Sequence, residues 1–409
     1  MKFRSHRDSL GPTIQSARRR FVALILSAAF QTVLLTGVQR LEYPAFPAEI
    51  ALYASSVTPV DQTARAFRRT LHIVCGISRR PQRKSERIVA MATASAHHDV
   101  PLIDLTGALN GDNAERLRVA VEIDAACREV GFFSIVGHGV DWRLADALKS
   151  AGFAFFDLPI EQKLECEAAW ETDYTGYLAS EALSYSRGEA SAPDLKETYT
   201  FYPMGRTPGK PQPWPRGVPA LQPALTEYFY ALERLAADLM KLFEISLGLD
   251  EGYFTPFIDR GLSALRVLHY PPLTGPPAPN QLRAGAHTDF GSLTLLLTDD
   301  ALGGLQVLTR RGEWVDVAYT QGAFVVNLGD LMEQWTNDRW VSTMHRVKVP
   351  PVGPGTRRLS AAFFHQPNDD AVIKPLPTCT DEANPAKYEP ITSGEHMHRK
   401  VRLQREMQS

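Results

Sequence analysis

The stretch Gly285-Ala286-His287-Thr288-Asp289-Phe290-Gly291 runs into the apolar segment Leu293-Thr294-Leu295-Leu296-Leu297, and its reading decides the fold. In extended backbone, positions i and i+2 project to one side, so His287 and Asp289 can aim an imidazole and a carboxylate at a single point. A lone His-x-Asp triplet is weak, because chance and a solvated turn produce it too. The third ligand has to come from elsewhere. Downstream, Phe324–Leu328 reads as a buried strand, Asp330–Trp335 as a short helical turn, Asn337-Asp338 as a reversal and 340–349 as another strand, with His345 inside it. Two histidines and one carboxylate leave three octahedral positions open, room for a chelating 2-oxo acid and O2, the pattern of non-haem Fe(II) oxygenases.

From Ser263 onward, short apolar runs separated by turn residues read as strands at 264–270, 292–298, 304–309, 314–317, 324–328, 341–349 and 359–365. That rhythm implies an antiparallel jelly roll. The preceding chain reads differently. A short strand at 100–105 leads into an amphipathic helix with Leu117, Ala120, Ile123, Cys127 and Val130 on its apolar face, stopped by Gly131. A strand at 132–136, a helix from Trp142 to Phe156 and a longer helix through Leu225, Phe229, Leu232, Ala236, Leu239 and Phe243, ending near Gly248, complete this half. Between the last two helices, 174–217 reads as loop, with Pro and Gly punctuation. The expected class is mainly β with flanking helices around a jelly-roll core.

A second grip point lies at Arg358-Leu359-Ser360-Ala361-Ala362-Phe363-Phe364. Strand alternation puts Arg358, Ser360, Ala362 and Phe364 on one face, where a guanidinium and a hydroxyl can hold a distal carboxylate between them. Arg357 falls on the opposite face and is expected in solvent. On the strand 264–270, Arg266 shares a face with Leu268 and Tyr270, so it either contacts substrate in the metal cavity or makes a structural ion pair. Phe364 is a candidate wall of the same pocket. His269 alternates to the other side of its strand, and His138 reads as a satisfied structural histidine.

Taken in order, several segments resemble the isopenicillin N synthase-like family of Fe(II)/2-oxoglutarate oxygenases. They are Gly131-Phe132-Phe133 through His138-Gly139-Val140, Tyr270-Pro271-Pro272, His287-Thr288-Asp289, Asn327-Leu328-Gly329-Asp330, His345-Arg346-Val347 and Arg358-Leu359-Ser360. The resemblance covers Pro101 to Pro367 and implies a double-stranded β-helix (jelly roll) core. It implies iron held by His287, Asp289 and His345, and 2-oxoglutarate held at its far carboxylate by Arg358 and Ser360, with the Tyr270 hydroxyl added. Fe(II), 2-oxoglutarate and O2 are the implied cofactor and co-substrates, with ascorbate as an accessory. The implied reaction is oxidative decarboxylation to succinate and CO2 coupled to oxidation, by default hydroxylation, of a small organic substrate.

Competing outcomes stay open within the resemblance. The segment 364–368 resembles the bacterial ethylene-forming enzyme, which also carries a substrate-holding Arg in the stretch similar to that of Arg266; Ser360 departs from that enzyme. Relatives that use the Arg-x-Ser pair without 2-oxoglutarate leave an oxidase reading, and an idle binding module is a third, opposed by the intact ligand set. Asp194-Leu195-Lys196-Glu197 resembles a family segment too, although a salt-bridged surface turn accounts for it equally. The segment 174–217 and the chain after Pro375 are expected to shape the pocket. No motif in either names the substrate.

Over 409 residues, 44 Lys+Arg stand against 46 Asp+Glu, which gives no reason to expect nucleic acid or an anionic membrane as partner. Residues 1–90 nevertheless carry 15 basic residues, 13 of them Arg, against 5 acidic ones. They include an apolar run, 21–38, behind Arg18-Arg19-Arg20. This stretch reads either as a start placed too far upstream of Met91 or as an anchor or targeting segment, and only the second would bring in a membrane. The expected organisation is an extension 1–90, an N-terminal dioxygenase region 100–220, a jelly-roll domain 260–370 and a tail 371–409, with oligomeric state left open. Cys75, Cys127, Cys166 and Cys379 are too scattered for a zinc site and read as thiols in a reducing compartment, the cytoplasm. A chain beginning at Met91 is expected to be soluble, folded and as active as the full-length one. Aggregation cured by restoring 1–90 would mark that segment as structural.

Overall fold

The computed structural model describes residues 100–168, 175–183, 192–203, 211–273, 275–299, 303–351 and 356–406. The extension 1–90, with its apolar run and Cys75, lies outside them.

The first half contains β1 (Leu102–Asp104), α1 (Asn113–Glu129), β2 (Phe132–Val136), α2 (Trp142–Phe156), β3 (Gly176–Leu178), β4 (Glu197–Phe201) and the long α3 (Leu221–Leu247). The second contains β5 (Ala264–Tyr270), β6 (Ala284–His287), β7 (Leu293–Leu297), β8 (Leu305–Leu308), β9 (Trp314–Asp316), β10 (Phe324–Leu328), α4 (Asp330–Trp335), β11 (His345–Val347) and β12 (Arg358–His365). A small ladder of β13 (Val372–Ile373) and β14 (Ile391–Thr392) then leads to α5 (Ser393–Glu406). The large sheet has the order β1-β2-β10-β7-β12-β5-β4-β3, and the small one β6-β11-β8-β9.

Period-two alternation gives the large sheet two chemically different faces. Leu359, Ala361 and Phe363 of β12, Leu265 and Val267 of β5, and Leu293, Leu295 and Leu297 of β7 share one apolar core with α1, α2 and α3. Their alternates Arg358, Ser360, Ala362, Arg266, Leu268, Tyr270, Thr294 and Leu296 line a cavity together with Ala284, His287, Leu305, His345 and Val347 of the small sheet. The helices close the outer face. Asp112 accepts from the Ala114 and Glu115 amides to start α1, and Asp141 from the Arg143 amide to start α2. α3 buries the expected stripe, and Phe229 meets Phe363 of β12 edge-on at 5.1 Å, a ring contact worth about 1 kcal/mol beyond its area. Among the described residues, no helix is long and apolar enough to cross a membrane.

The structure departs from the sequence expectation in several places. On α1 the expected Ala120, Ile123, Cys127 and Val130 are buried, but Leu117 is 59% exposed, and Val119 and Ala126 join the stripe in its place. The region 174–217 contributes β3 and β4, two short strands that extend the large sheet beyond β5. The expected strand 341–349 shrinks to His345–Val347, since only these residues find partners, on β6 and β8.

Gly131, between α1 and β2, has φ +68°, and a Cβ there would collide with the Val341 carbonyl. Gly248, the C-cap of α3, has φ +67° with open space around it. Gly248→Ala should therefore cost about 1 kcal/mol from the left-handed backbone alone, and Gly131→Ala about 3 kcal/mol or more. Urea unfolding checks this, and equal losses would contradict it.

Candidate metal centre

β6 ends at His287, and Asp289 follows in the bend that carries the chain from the small sheet to β7 of the large one. The segment 285–297 is thus two strands on two sheets rather than one run. β11 opens with His345, directly opposite His287 in the β6–β11 ladder. The two imidazoles lie 4.2 Å apart between ring centres, and both Nε2 atoms are 3.8 Å from Asp289 Oδ1. The ligand atoms all fall within 4.8 Å of one another, the one such His/Cys/Asp/Glu group among the described residues.

Hydrogen bonds behind the three side chains orient them. His287 Nδ1 lies 2.7 Å from the Gly285 carbonyl and His345 Nδ1 3.0 Å from that of Thr343, so each Nδ1–H donates and each Nε2 keeps its lone pair for a metal. Asp289 Oδ2 accepts from Thr294 Oγ1 and Asn327 Nδ2, both at 2.6 Å, which leaves Oδ1 turned toward the histidines. Burial, with the neighbouring His345, pulls the His287 imidazole well below its ordinary range and keeps it neutral. Burial pushes the Asp289 carboxyl up, but His345, His287 and the two hydrogen bonds outweigh it and hold the group ionised. Two imidazole nitrogens and one anionic oxygen, with open space beside them, fit a divalent cation with three further positions.

Facing this set across a cavity of about 170 Å³ stands Arg358. Only 2% exposed, its guanidinium lies 4.9 Å from the centre of the Tyr270 ring, with Nε 3.5 Å from Asp299 Oδ1. Nε and Nη1 have no hydrogen-bond partner. Ser360 and Phe364 follow on the same face of β12, as alternation predicts. A buried guanidinium with unused donors is built for an anion.

Comparison with known proteins agrees with this geometry. Residues 262–367 match the model of the 2OG-Fe(II) oxygenase superfamily, and residues 100–222 that of the non-haem dioxygenase in morphine synthesis N-terminal region. The chain is 36% identical over 309 residues to the 2-oxoglutarate-Fe(II) type oxidoreductase hxnY of Emericella nidulans, covering 71% of this chain and 86% of that one. It is 34% identical over 290 residues to validamycin A dioxygenase of Streptomyces hygroscopicus, covering 68% and 79%. The crystal structure of a full-length Neurospora crassa protein in complex with alpha-KG superposes with a TM-score of 0.67 at 33% identity, covering 76% of this chain and 96% of that one. The same Neurospora protein with alpha-KG and thymine also gives 0.67 at 33% identity, covering 74% and 96%. This chain belongs to the 2OG-Fe(II) oxygenase superfamily. It is a non-haem dioxygenase with a jelly-roll core that uses Fe(II), 2-oxoglutarate and O2.

Elsewhere the oxygenase's cavity holds a charge cluster around Asp194 and Lys196, buried and so not the salt-bridged surface turn that the sequence allowed equally. Lys196 has no exposed side-chain area and sits 3.0 Å from Glu181 and 2.9 Å from Asp194. Asp194 also accepts from the Leu183 and Gly285 amides, which ties the cluster to the strand of His287. Arg266 Nε donates to Thr200 Oγ1 at 3.0 Å, and its Nη1 is 3.6 Å from Glu181, so Arg266 faces the cavity and makes an ion pair at once. Burial pushes the Glu181 carboxyl up, but Lys196 and Arg266 more than reverse this and hold it below the usual range. Nothing in the sequence links Glu181 to these partners. Met397 and Val401 of α5 also line the cavity, and their spacing of four is the one signal that could have found them.

His138 is structural as expected: it accepts from the Val140 amide and donates to the Gly322 carbonyl. His269 faces away from the cavity, 2.8 Å from Glu197 and stacked on Phe156. Arg357 is not simply solvated, for it donates to His269 and Asp157 and lies over the Phe153 ring.

Thr294→Val removes one of the two donors to Asp289 at nearly constant volume. It should weaken Mn(II) or Fe(II) binding about 10- to 100-fold in anaerobic titration, and His345→Ala should weaken it further. Unchanged affinity in both variants would contradict a metal site here.

Proposed function

We propose that this oxygenase hydroxylates a small, neutral, polar molecule, with iron held by His287, Asp289 and His345. Arg358, Ser360 and Tyr270 take the far carboxylate of 2-oxoglutarate, and Arg266 and Phe364 contact the substrate. The distribution of buried charge carries this reading. Near Arg358, which lies 3.5 Å from Asp299, a second buried guanidinium, Arg283, adds positive charge, and this concentration favours an anion there. On the substrate side, Lys196 and Arg266 are matched by Glu181 and Asp194. A charged substrate would leave a buried charge unpaired there, at a cost of several kcal/mol. The Neurospora complex with thymine, a neutral ring, supports the same class.

Bound Fe(II) supplies the O2 activation that couples decarboxylation of 2-oxoglutarate to C–H oxidation. The chain's own work is positional. The Gly285 and Thr343 carbonyls keep both imidazoles in the ligating tautomer, and Arg358 fixes the length over which 2-oxoglutarate must stretch. Arg266 and Glu181 offer a donor and an acceptor to a neutral polar edge, while Phe290, Phe364, Met397 and Val401 keep water from the reacting carbon. The described cysteines, Cys127, Cys166 and Cys379, are buried free thiols, which supports a cytoplasmic location.

Arg358→Gln should raise the KM for 2-oxoglutarate by the equivalent of about 2–5 kcal/mol, roughly thirtyfold to several-thousandfold, with metal affinity retained. Succinate release should be stimulated by neutral heterocycles or polyols more than by amino acids or dicarboxylates. Stimulation by charged compounds alone would sink the substrate class. Ethylene in the headspace, dependent on 2-oxoglutarate and arginine, would replace hydroxylation with the ethylene-forming reading, and turnover without 2-oxoglutarate would favour an oxidase.

A further inference from the structure

Arg283 is 1% exposed, does not line the cavity and lies outside the segments that carry the family resemblance. Its backbone amide donates to the Val347 carbonyl at 3.0 Å, at the β11 side of the small sheet. Its side chain crosses to the large sheet, where Nη2 donates to the Thr356 carbonyl and lies 3.4 Å from that of Pro271. Those two carbonyls flank the co-substrate residues: Pro271 follows Tyr270, and Thr356 is two residues before Arg358. Tyr270 and Arg358 are themselves paired directly across the β5–β12 ladder. The Arg283 guanidinium lies 5.6 Å from the centre of the Tyr270 ring, which also carries Arg358 at 4.9 Å. Four residues further along the chain from Arg283 comes His287.

We propose that Arg283 is a positioning residue for 2-oxoglutarate, acting by fixing the span between the metal set and the Arg358–Tyr270 pair and by adding a second buried positive charge behind that pair. This rests on the reading above, in which Arg358 holds the far carboxylate. A ligand anchored at both ends of a rigid site tolerates little change in span, because misplacing one anchor loses its charge-assisted hydrogen bonds. β6 and β12 lie in different sheets with no ladder between them, so their separation at this end depends on side-chain ties. Arg283 is such a tie. Two buried like charges near one ring also repel, and the site relaxes that repulsion by accepting a carboxylate, which makes its affinity selective for the dianion.

The test compares two 2-oxo acids: 2-oxoglutarate, and 2-oxopentanoate, which chelates identically but lacks the far carboxylate. Binding is measured by calorimetry on the full-length, Mn(II)-loaded protein, without turnover. Arg283→Gln is expected to weaken 2-oxoglutarate about tenfold or more while leaving 2-oxopentanoate within about twofold. Arg283→Lys keeps the charge but replaces the planar guanidinium, whose Nη2 meets both carbonyls, by a shorter, rotating ammonium, and should fall between wild type and Arg283→Gln. If Arg283→Gln does not fold, Arg283→Lys alone decides, through the ratio of the two affinities. An equal loss for both acids, or no loss for either, overturns the proposal. Arg358→Gln in parallel separates the two readings. If it leaves 2-oxoglutarate binding intact, the carboxylate assignment itself is wrong; if it abolishes selectivity and the Arg283 variants do not, only the positioning role falls.

Discussion

The pairing of β6 with β11 is the constraint on which the site depends. Antiparallel register sets His345 opposite His287, and facing residues on one side of such a pair are close enough for both imidazoles to reach one ion. A slip of one residue would send one histidine to the other face. The register has support on both sides, from β8 along β11 and from the Arg283 amide just before the start of β6. Asp289 needs a different device, because it lies past the strand. The Asp330 amide donates to the Asp289 carbonyl at 2.8 Å and the Gly329 amide to that of Ser292 at 3.1 Å, so the start of α4 pins the bend between the sheets. The Asn327-Leu328-Gly329-Asp330 motif thereby acquires a physical role: its Asn holds the carboxylate, and its Gly and Asp hold the backbone around it.

The large sheet carries two tasks because its two faces are chemically independent. The helix side is almost wholly aliphatic and aromatic, and supplies the burial that keeps the sheet rigid. The cavity side gathers Arg358, Ser360, Arg266, Thr294 and Asn327, polar groups that would be costly to bury without partners. Most are paired with each other or with neighbouring side chains. Nε and Nη1 of Arg358 have no hydrogen-bond partner, and they lie where the co-substrate reading needs an anion. Charge is thus balanced where a neutral substrate would sit and unbalanced where 2-oxoglutarate would.

Chain order and space diverge most at the substrate side. Glu181, Lys196 and Arg266 come from a loop, the approach to β4 and the neighbouring strand β5, in the extended part of the large sheet, while Met397 and Val401 come from the last helix. The pairing of β4 with β5 sets Thr200 opposite Arg266, and Thr200 then holds its guanidinium. Both 174–217 and the chain after Pro375 reach the pocket as the sequence leads one to expect, but no local pattern picks out which of their residues do so. Charged residues in a Pro- and Gly-punctuated segment look the same whether they face water or a cavity.

Local chemistry and period two were enough to read much of this protein from sequence. The side of β12 that bears Arg358 and Ser360, the three long helices and the jelly-roll class follow from alternation, caps and residue type, which neighbours along the chain determine, and residue type singled out His287 and Asp289, although Asp289 lies in the bend past β6 and not on one strand with His287. Motif order then tied His345 to its partners across a long gap. The tertiary structure alone decided the rest: the exposure of Leu117, the burial of Lys196 with Glu181, the pairing of Arg357, and the crossing of Arg283 between the sheets. Each depends on which distant segment lies within a few ångströms, and a Coulomb or hydrogen-bond partner chosen by folding leaves no trace in the spacing of the residues it joins.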